Sequence, residues 1–139
     1  MRRELISVRI ARCLAALLIA VVFVVVATSV RADEKKEGTV PEAAVKEGRE
    51  IFKTRCSVCH GLEGKGDGPG ATGLNPKPRN LSDPEWQKSV DDAYIEKIIQ
   101  YGGLAVGKSA MMPSNPDLNS KPEVIKGIRV VVRELAAHK

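Results

Sequence analysis

The chain has 139 residues, 28% of them charged, and a net charge of +5, which suits one small domain. The first 32 residues hold five Arg and one Glu, so the net charge falls by 4 to +1 without them. Because no basic patch interleaved with aromatic residues follows, we expect no nucleic-acid partner.

Residues 1–32 have the pattern of an export signal, with arginines ahead of an apolar run and small residues at positions 30 and 32. We predict cleavage after Ala32 and a periplasmic mature chain. However, the stretch 13–30 is uncharged for 18 residues, the lower limit for a bilayer span, so an uncleaved anchor in the inner membrane stays open. The predicted organisation is a leader or anchor at 1–32, a flexible tail at 33–39 and one domain at 40–139.

A first helix is predicted to begin at Thr39, which with Glu42 forms a capping-box pattern around Pro41. Apolar residues then recur at three- and four-residue spacing as far as Cys56. Gly48 lies inside this helix, where glycine is costly unless another backbone approaches it closely. We therefore expect the C-terminal helix to cross at Gly48.

The residues from Cys56 to His60 form a C-x-x-C-H motif. Two thiols at this spacing can each add to a vinyl group of a haem, with the following histidine held under the iron. A zinc site, a redox dithiol or a structural disulfide uses similar spacing. Zinc needs four ligands and the exported chain adds only His138, while a thioredoxin-like dithiol follows a strand rather than a helix. We favour a covalent haem site, with the dithiol as the main alternative.

Residues 61–70 are rich in glycine and predict a loop that passes tightly beside the haem edge, rather than a phosphate cradle. The prolines of residues 74–81 predict extended chain after it. Residues 82–87 predict a short helical turn, in which we interpret Trp86 as a packing anchor. A contact of its indole N–H with a haem propionate is the weaker interpretation.

A helix is predicted from a second capping box, Ser89 with Asp92, to Gly102. The segment 102–109 matches the phosphate-binding pattern G-x-x-x-x-G-K-S. That loop requires a strand before it and a helix after it, whereas here a helix precedes it and prolines follow. We regard the match as chance.

Met111-Met112-Pro113 offers a soft thioether ligand for haem iron on a loop that the proline stiffens. We favour Met112 as the ligand because it adjoins the proline, with Met111 as the alternative. A third capping box, Ser120 with Glu123, then opens an apolar-faced helix that closes the chain.

The order of these motifs resembles an exported bacterial class I cytochrome c. The resemblance implies an all-α fold in which the N- and C-terminal helices cross around one covalently bound haem c. Cys56 and Cys59 would form its thioethers, and His60 and Met112 would be the axial ligands of the iron. The carbonyl of Pro78, or of Pro76, would accept the His60 Nδ1 proton.

The chain departs from this resemblance in one place. Family members often carry an aromatic residue where the last helix meets the first, and this chain has valines at 130–132. We therefore expect a looser helix crossing.

The implied function is electron transfer rather than enzyme catalysis, because iron with two protein ligands has no open position for a substrate. We expect a monomer that accepts electrons from one redox protein and passes them to another through small, transient interfaces. A dedicated cytochrome subunit of a dehydrogenase or oxidase is one alternative. Displacement of Met112 would instead give a ligand-binding sensor or a peroxidase.

Overall fold

The computed structural model describes residues 39–137, so the leader, most of the tail and His138 lie outside the described residues. The described part contains helices and no strand, which confirms the all-α prediction. No helix within residues 39–137 is long and apolar enough to cross a membrane. Residues 39–137 contain five α-helices: α1 (Glu42–Ile51), α2 (Ser57–His60), α3 (Pro84–Ser89), α4 (Asp92–Tyr101) and α5 (Pro122–Glu134). Shorter helical segments are a π-helical turn at Phe52–Cys56 and 3₁₀ turns at Pro69–Ala71, Gly103–Val106 and Pro116–Leu118.

The three predicted capping boxes are wrong, although the three helices exist. Pro41 and Lys121 occupy the N-cap positions of α1 and α5, and neither helix has a side-chain cap. Asp91 rather than Ser89 caps α4, by accepting a hydrogen bond from the Tyr94 N–H at 2.7 Å. Prolines at the start of α1 and α5 supply a suitable φ without a capping side chain, so each helix begins nearer its proline than the box pattern indicates.

The predicted crossing of α1 and α5 at Gly48 is confirmed. A Cβ atom on Gly48 would lie 2.6 Å from the Ile128 nitrogen and 2.7 Å from the Gly127 carbonyl carbon. A Cβ on Gly127 would in turn collide with the Ala44 carbonyl oxygen. The expectation of a looser crossing is therefore wrong: two glycines, one on each helix, let the backbones touch without an aromatic residue.

The core lies where α1, α4 and α5 meet. Phe52, Ile95 and Ile128 are each 4% exposed or less. Trp86 is partly buried and packs against this cluster, as expected of an anchor for α3. The remaining core residues are Leu81, Ile99, Leu118, Val124, Ile125, Val131 and Val132.

Two arginines of α5 attach α3 and α4 to the core. Arg129 has a side chain only 10% exposed and donates to Asp92 at 2.6 Å and to Glu96 at 2.9 Å. Arg133 donates to the backbone oxygen of Gln87 at 2.6 Å and to its side-chain oxygen at 2.8 Å. Because the charges of Arg129 and Arg133 are paired with acceptors on α3 and α4, the two arginines fix the position of α4 against α5. The loop that contains Met112 follows α4.

Candidate functional site

The C-x-x-C-H motif lies at the end of the first helical segment. Cys56 closes the π-helical turn, while Cys59 and His60 lie in α2. Residues three apart on a helix share a face, so both thiols belong to one side of this segment. Both cysteines are half-buried and neither forms a disulfide.

His60 lies directly before Gly61, whose φ of 78° ends α2. The His60 Nδ1 atom lies 3.0 Å from the Arg79 carbonyl oxygen. The prediction of Pro78 as the acceptor is therefore wrong by one residue. A proton on Nδ1 that is donated to this carbonyl leaves Nε2 as the lone-pair nitrogen of the ring. Burial lowers the pKa of His60, although the Arg79 carbonyl opposes this shift, and the neutral ring is the form that binds metal.

The Pro78 carbonyl has a different neighbour, Gly66. A Cβ on Gly66, whose φ is 79°, would collide with the Pro78 oxygen. The Gly66 N–H donates to the His60 carbonyl at 2.7 Å, and the Gly68 N–H donates to the Cys59 carbonyl at 3.2 Å. The glycine-rich loop thus packs tightly between α2 and the 78–79 backbone, and its passage beside a haem edge stays a prediction.

The same loop shapes the space beside Cys59. A Cβ on Gly70 would lie 3.3 Å from the Cys59 sulfur and 3.0 Å from Val58. Any side chain at position 70 would therefore crowd the Cys59 thiol. The residues present fit a covalently attached haem because two free, half-buried thiols lie on one side of the helical segment, followed by a histidine whose Nδ1 faces a carbonyl oxygen.

Met112 lies on the loop between the 3₁₀ turns at 103–106 and 116–118. Its carbonyl accepts a hydrogen bond from the Gly103 N–H at 2.9 Å, and Gly102 packs against the backbone of residues 112–114. Met112 is half-buried, whereas Met111 is 59% exposed. This difference favours Met112 as the methionine that faces the protein.

Arg55 connects this loop to the motif, a contact that the sequence interpretation missed. Arg55 precedes Cys56 and donates to the side chains of Asn115 and Asp117. The structure therefore places the loop of Met112 beside the segment that holds Cys56, Cys59 and His60. The only sequence signal was a single arginine next to the motif, and nothing in local spacing indicates its distant partners.

Two competing interpretations of these motifs, the reactive dithiol and the phosphate-binding loop, are not favoured by the structure. No cluster of three or more His, Cys, Asp or Glu side chains that could hold a metal ion occurs within residues 39–137, and His138, the further zinc ligand that the sequence offers, lies outside the described residues. Burial raises the pKa of the Cys56 thiol to about 11, opposite to the lowered pKa of a reactive dithiol. Gly102 follows α4 and opens a 3₁₀ turn, so the segment 102–109 has neither the strand nor the helix of a phosphate-binding loop.

Comparisons with known proteins identify the family of the chain. The sequence model of the family described as cytochrome c matches residues 45–125, more than half of the chain. The cbb3-type cytochrome c oxidase subunit FixP of Azorhizobium caulinodans is 34% identical over 93 residues, which is 66% of this chain and 27% of that protein. The chain thus spans about a quarter of the length of this curated relative.

Among solved structures, the KustC0563 c-type cytochrome is 28% identical, with a TM-score of 0.47. The similarity covers 63% of this chain and 95% of that one. The span of the family match includes the C-x-x-C-H motif, the glycine-rich loop and Met112. This chain belongs to the cytochrome c family.

Proposed function

We propose that the chain is a one-electron carrier with a single haem c, attached through Cys56 and Cys59 and ligated by His60 and Met112. Family membership supports haem-based electron transfer in general. The observation that carries the finer proposal is the contact of His60 Nδ1 with the Arg79 carbonyl, 3.0 Å long. It holds the ring in the orientation and tautomer that direct Nε2 toward a metal.

Each residue has a defined part in this proposal. The two thiols would bond the group to the chain, and the lowered pKa of the half-buried His60 ring favours the neutral form, which is the form that binds iron. Met112 would supply a second, soft ligand, which raises the reduction potential. A haem held in this way would supply an iron that changes oxidation state by one electron. With both His60 and Met112 bound to the iron, no position would be open for a substrate, so the chain would be a carrier rather than an enzyme.

The proposal extends to location and partners. The leader pattern at residues 1–32 supports export, either with cleavage after Ala32 or with retention as an inner-membrane anchor. Residues 33–39 would then be a tail and residues 40–139 a monomeric cytochrome c domain in the periplasm. Its net charge near neutrality suits transient contacts with a redox donor and a redox acceptor.

A second candidate function is supported by the similarity to FixP, a subunit of a cbb3-type cytochrome c oxidase. In that case the chain would be a dedicated cytochrome subunit rather than a free shuttle. Purification of the native protein under mild conditions separates the two: a stable complex with a larger redox subunit supports the subunit, and a lone monomer supports the shuttle.

The coordination is tested by optical spectra of protein produced with haem-attachment machinery. We expect a methionine-to-iron charge-transfer band in the oxidised protein, which Met112→Ala removes and Met111→Ala retains. Mass spectrometry of the denatured chain should show one haem bound, and none after Cys56→Ser together with Cys59→Ser. Bound haem without the charge-transfer band would contradict the carrier and favour a ligand-binding sensor or peroxidase, and no covalent haem would contradict the motif interpretation.

A further inference from the structure

Arg55 lies next to Cys56 and makes the contact with the loop of Met112 that was described above. Its Nη1 atom lies 2.7 Å from Asn115 Oδ1 and 3.0 Å from Asp117 Oδ1, and its Nη2 atom lies 3.1 Å from Asp117 Oδ2. The guanidinium therefore binds the carboxylate with two nitrogens and uses one of them again for the amide. Contacts through two nitrogens fix the relative orientation of the guanidinium and the carboxylate as well as the distance between them.

Both partners of Arg55 are close to Met112 in the chain. Asn115 is three residues beyond Met112, and Asp117 is five residues beyond it. Asn115 also donates from Nδ2 to the Ile99 carbonyl at 2.6 Å and from its backbone N–H to the Gln100 carbonyl at 2.9 Å. Arg55 thus binds the end of the loop at which Asn115 also bonds to the last residues of α4.

The contribution of Arg55 to overall stability is expected to be small. The side chains of Arg55 and Asp117 are 47% and 56% exposed, and exposed ion pairs contribute little to folding. The loop, however, is a short connection between 3₁₀ turns, and local segments of this kind open far more readily than the core. The contact of Arg55 with Asp117 can therefore contribute little to the free energy of unfolding and still determine how often the loop of Met112 opens.

We propose that Arg55 is a positioning residue that holds the loop of Met112 against the C-x-x-C-H segment and so keeps the methionine sulfur on the iron. This inference rests on the coordination given under Proposed function. Arg55 acts through Asn115 and Asp117 and touches neither sulfur nor iron. Its loss should raise the fraction of molecules in which Met112 has left the iron, while the fold and the haem attachment persist.

The test is the rate at which carbon monoxide binds to the reduced, haem-loaded protein, because the gas binds only when the methionine has left. We expect Arg55→Gln to increase this rate roughly five-fold to ten-fold, the effect of losing one charge-assisted contact. Asp117→Asn should increase it in the same direction, and Arg55→Lys should give an intermediate rate because lysine cannot bind with two nitrogens.

The matched control is Arg49→Gln. Arg49 is also on the first helical segment and pairs with Glu134 at 2.7 Å, at 53% exposure, but its partner is on α5 rather than on the loop. We expect this variant to bind carbon monoxide at the wild-type rate, with a loss of denaturant stability similar to that of Arg55→Gln.

The outcomes separate the two proposals. A wild-type charge-transfer band together with an unchanged rate in Arg55→Gln would overturn the role of Arg55 and leave the carrier intact. An equal rate increase in Arg49→Gln would overturn it as well, because the effect would then follow general stability. Absence of the band from the wild-type protein would overturn both proposals.

Discussion

The two sides of the candidate site are held in different ways. Around His60, the loop of glycines 61–70 packs backbone against backbone, and a side chain at Gly66 or Gly68 would collide with a carbonyl oxygen. Around Met112, Gly102 packs against the backbone of residues 112–114, but the far end of the loop is held by hydrogen bonds from Asn115 and the exposed Arg55. Close backbone packing restricts a segment more strongly than a few hydrogen bonds do, one of them from an exposed side chain.

This difference suits the proposed chemistry. A ligand attached next to two covalent bonds needs one fixed orientation, and the close packing around His60 provides it. In the proposal, the second ligand, Met112, lies on a loop whose stability would depend on single residues such as Arg55 and Asn115. The comparison therefore predicts which substitutions disturb folding and which disturb only the coordination by Met112.

The largest effect is expected at Arg129, which binds α4, the helix that precedes the Met112 loop. Arg129→Ala would leave Glu96 and part of Asp92 without their partner in a half-buried place, and should lower the free energy of unfolding by about 3 to 4 kcal/mol. Urea unfolding of the haem-loaded protein measures this. The control Arg49→Ala removes an exposed pair and should cost at most about 0.5 kcal/mol. Similar losses in the two variants would show that α4 is not held by Arg129.

A smaller but still large effect is expected on the His60 side. Gly66→Ala would push a Cβ into the Pro78 carbonyl at a φ of 79°, and should cost about 2 to 3 kcal/mol through overpacking and backbone strain. Thermal unfolding is the measurement.

Gly73→Ala is the matched control for Gly66→Ala. Gly73 has a φ of 78°, but nothing lies within 4 Å of its Cβ position, so only the strain of about 1 to 2 kcal/mol remains. Equal losses at the two glycines would mean that close packing against residues 78–79 contributes nothing.

The Met112 loop should respond to a single substitution at the partly buried Asn115. Asn115→Ala removes the bonds to Ile99 and Arg55 and should cost about 1 kcal/mol. We expect the methionine-to-iron band to disappear at a lower temperature than in the wild-type protein, well before global unfolding. Asn119→Ala, which removes only an exposed bond from Gln100 at 3.0 Å, should leave the band unchanged. Simultaneous loss of band and fold in Asn115→Ala would contradict a separately opening loop.

The smallest effect concerns pH. The hydrogen bond from Arg55 lowers the pKa of Asp117 below its ordinary value of 3.8, with the charges of Arg55 and Lys121 in the same direction. A lowered carboxyl pKa means that the contact stabilises the fold fully above pH 3.8 and loses this effect as the pH falls through the lowered pKa.

We expect NMR titration of the reduced protein to place the Asp117 pKa below 3.8 and to show its return toward 3.8 in Arg55→Gln. An Asp117 pKa that is the same in both proteins would show that Arg55 and Asp117 do not pair in solution.

Much of the fold was predictable from residues that act locally. The helical spacing, the prolines at helix starts and the C-x-x-C-H motif each depend on neighbours within a few positions, and they indicated α1, α4, α5 and the cysteine and histidine cluster. Gly48 was informative because a glycine inside a helix is costly without a close partner. The capping boxes failed because α1 and α5 begin next to a proline without any side-chain cap, and α4 is capped by Asp91 rather than Ser89.

The amino-acid sequence by itself determined the helical class, the family and the residues of the motif, since these depend on short-range spacing and on the chemistry of individual side chains. Only the tertiary structure decided which partners meet across the chain. In it, Gly127 lies against Gly48, and the carbonyl of Arg79 rather than that of Pro78 contacts His60. Asn115 and Asp117 lie beside Arg55. Such pairs lie 19 to 79 positions apart, and their contacts follow from how the helices cross and the loops close, which no local pattern encodes.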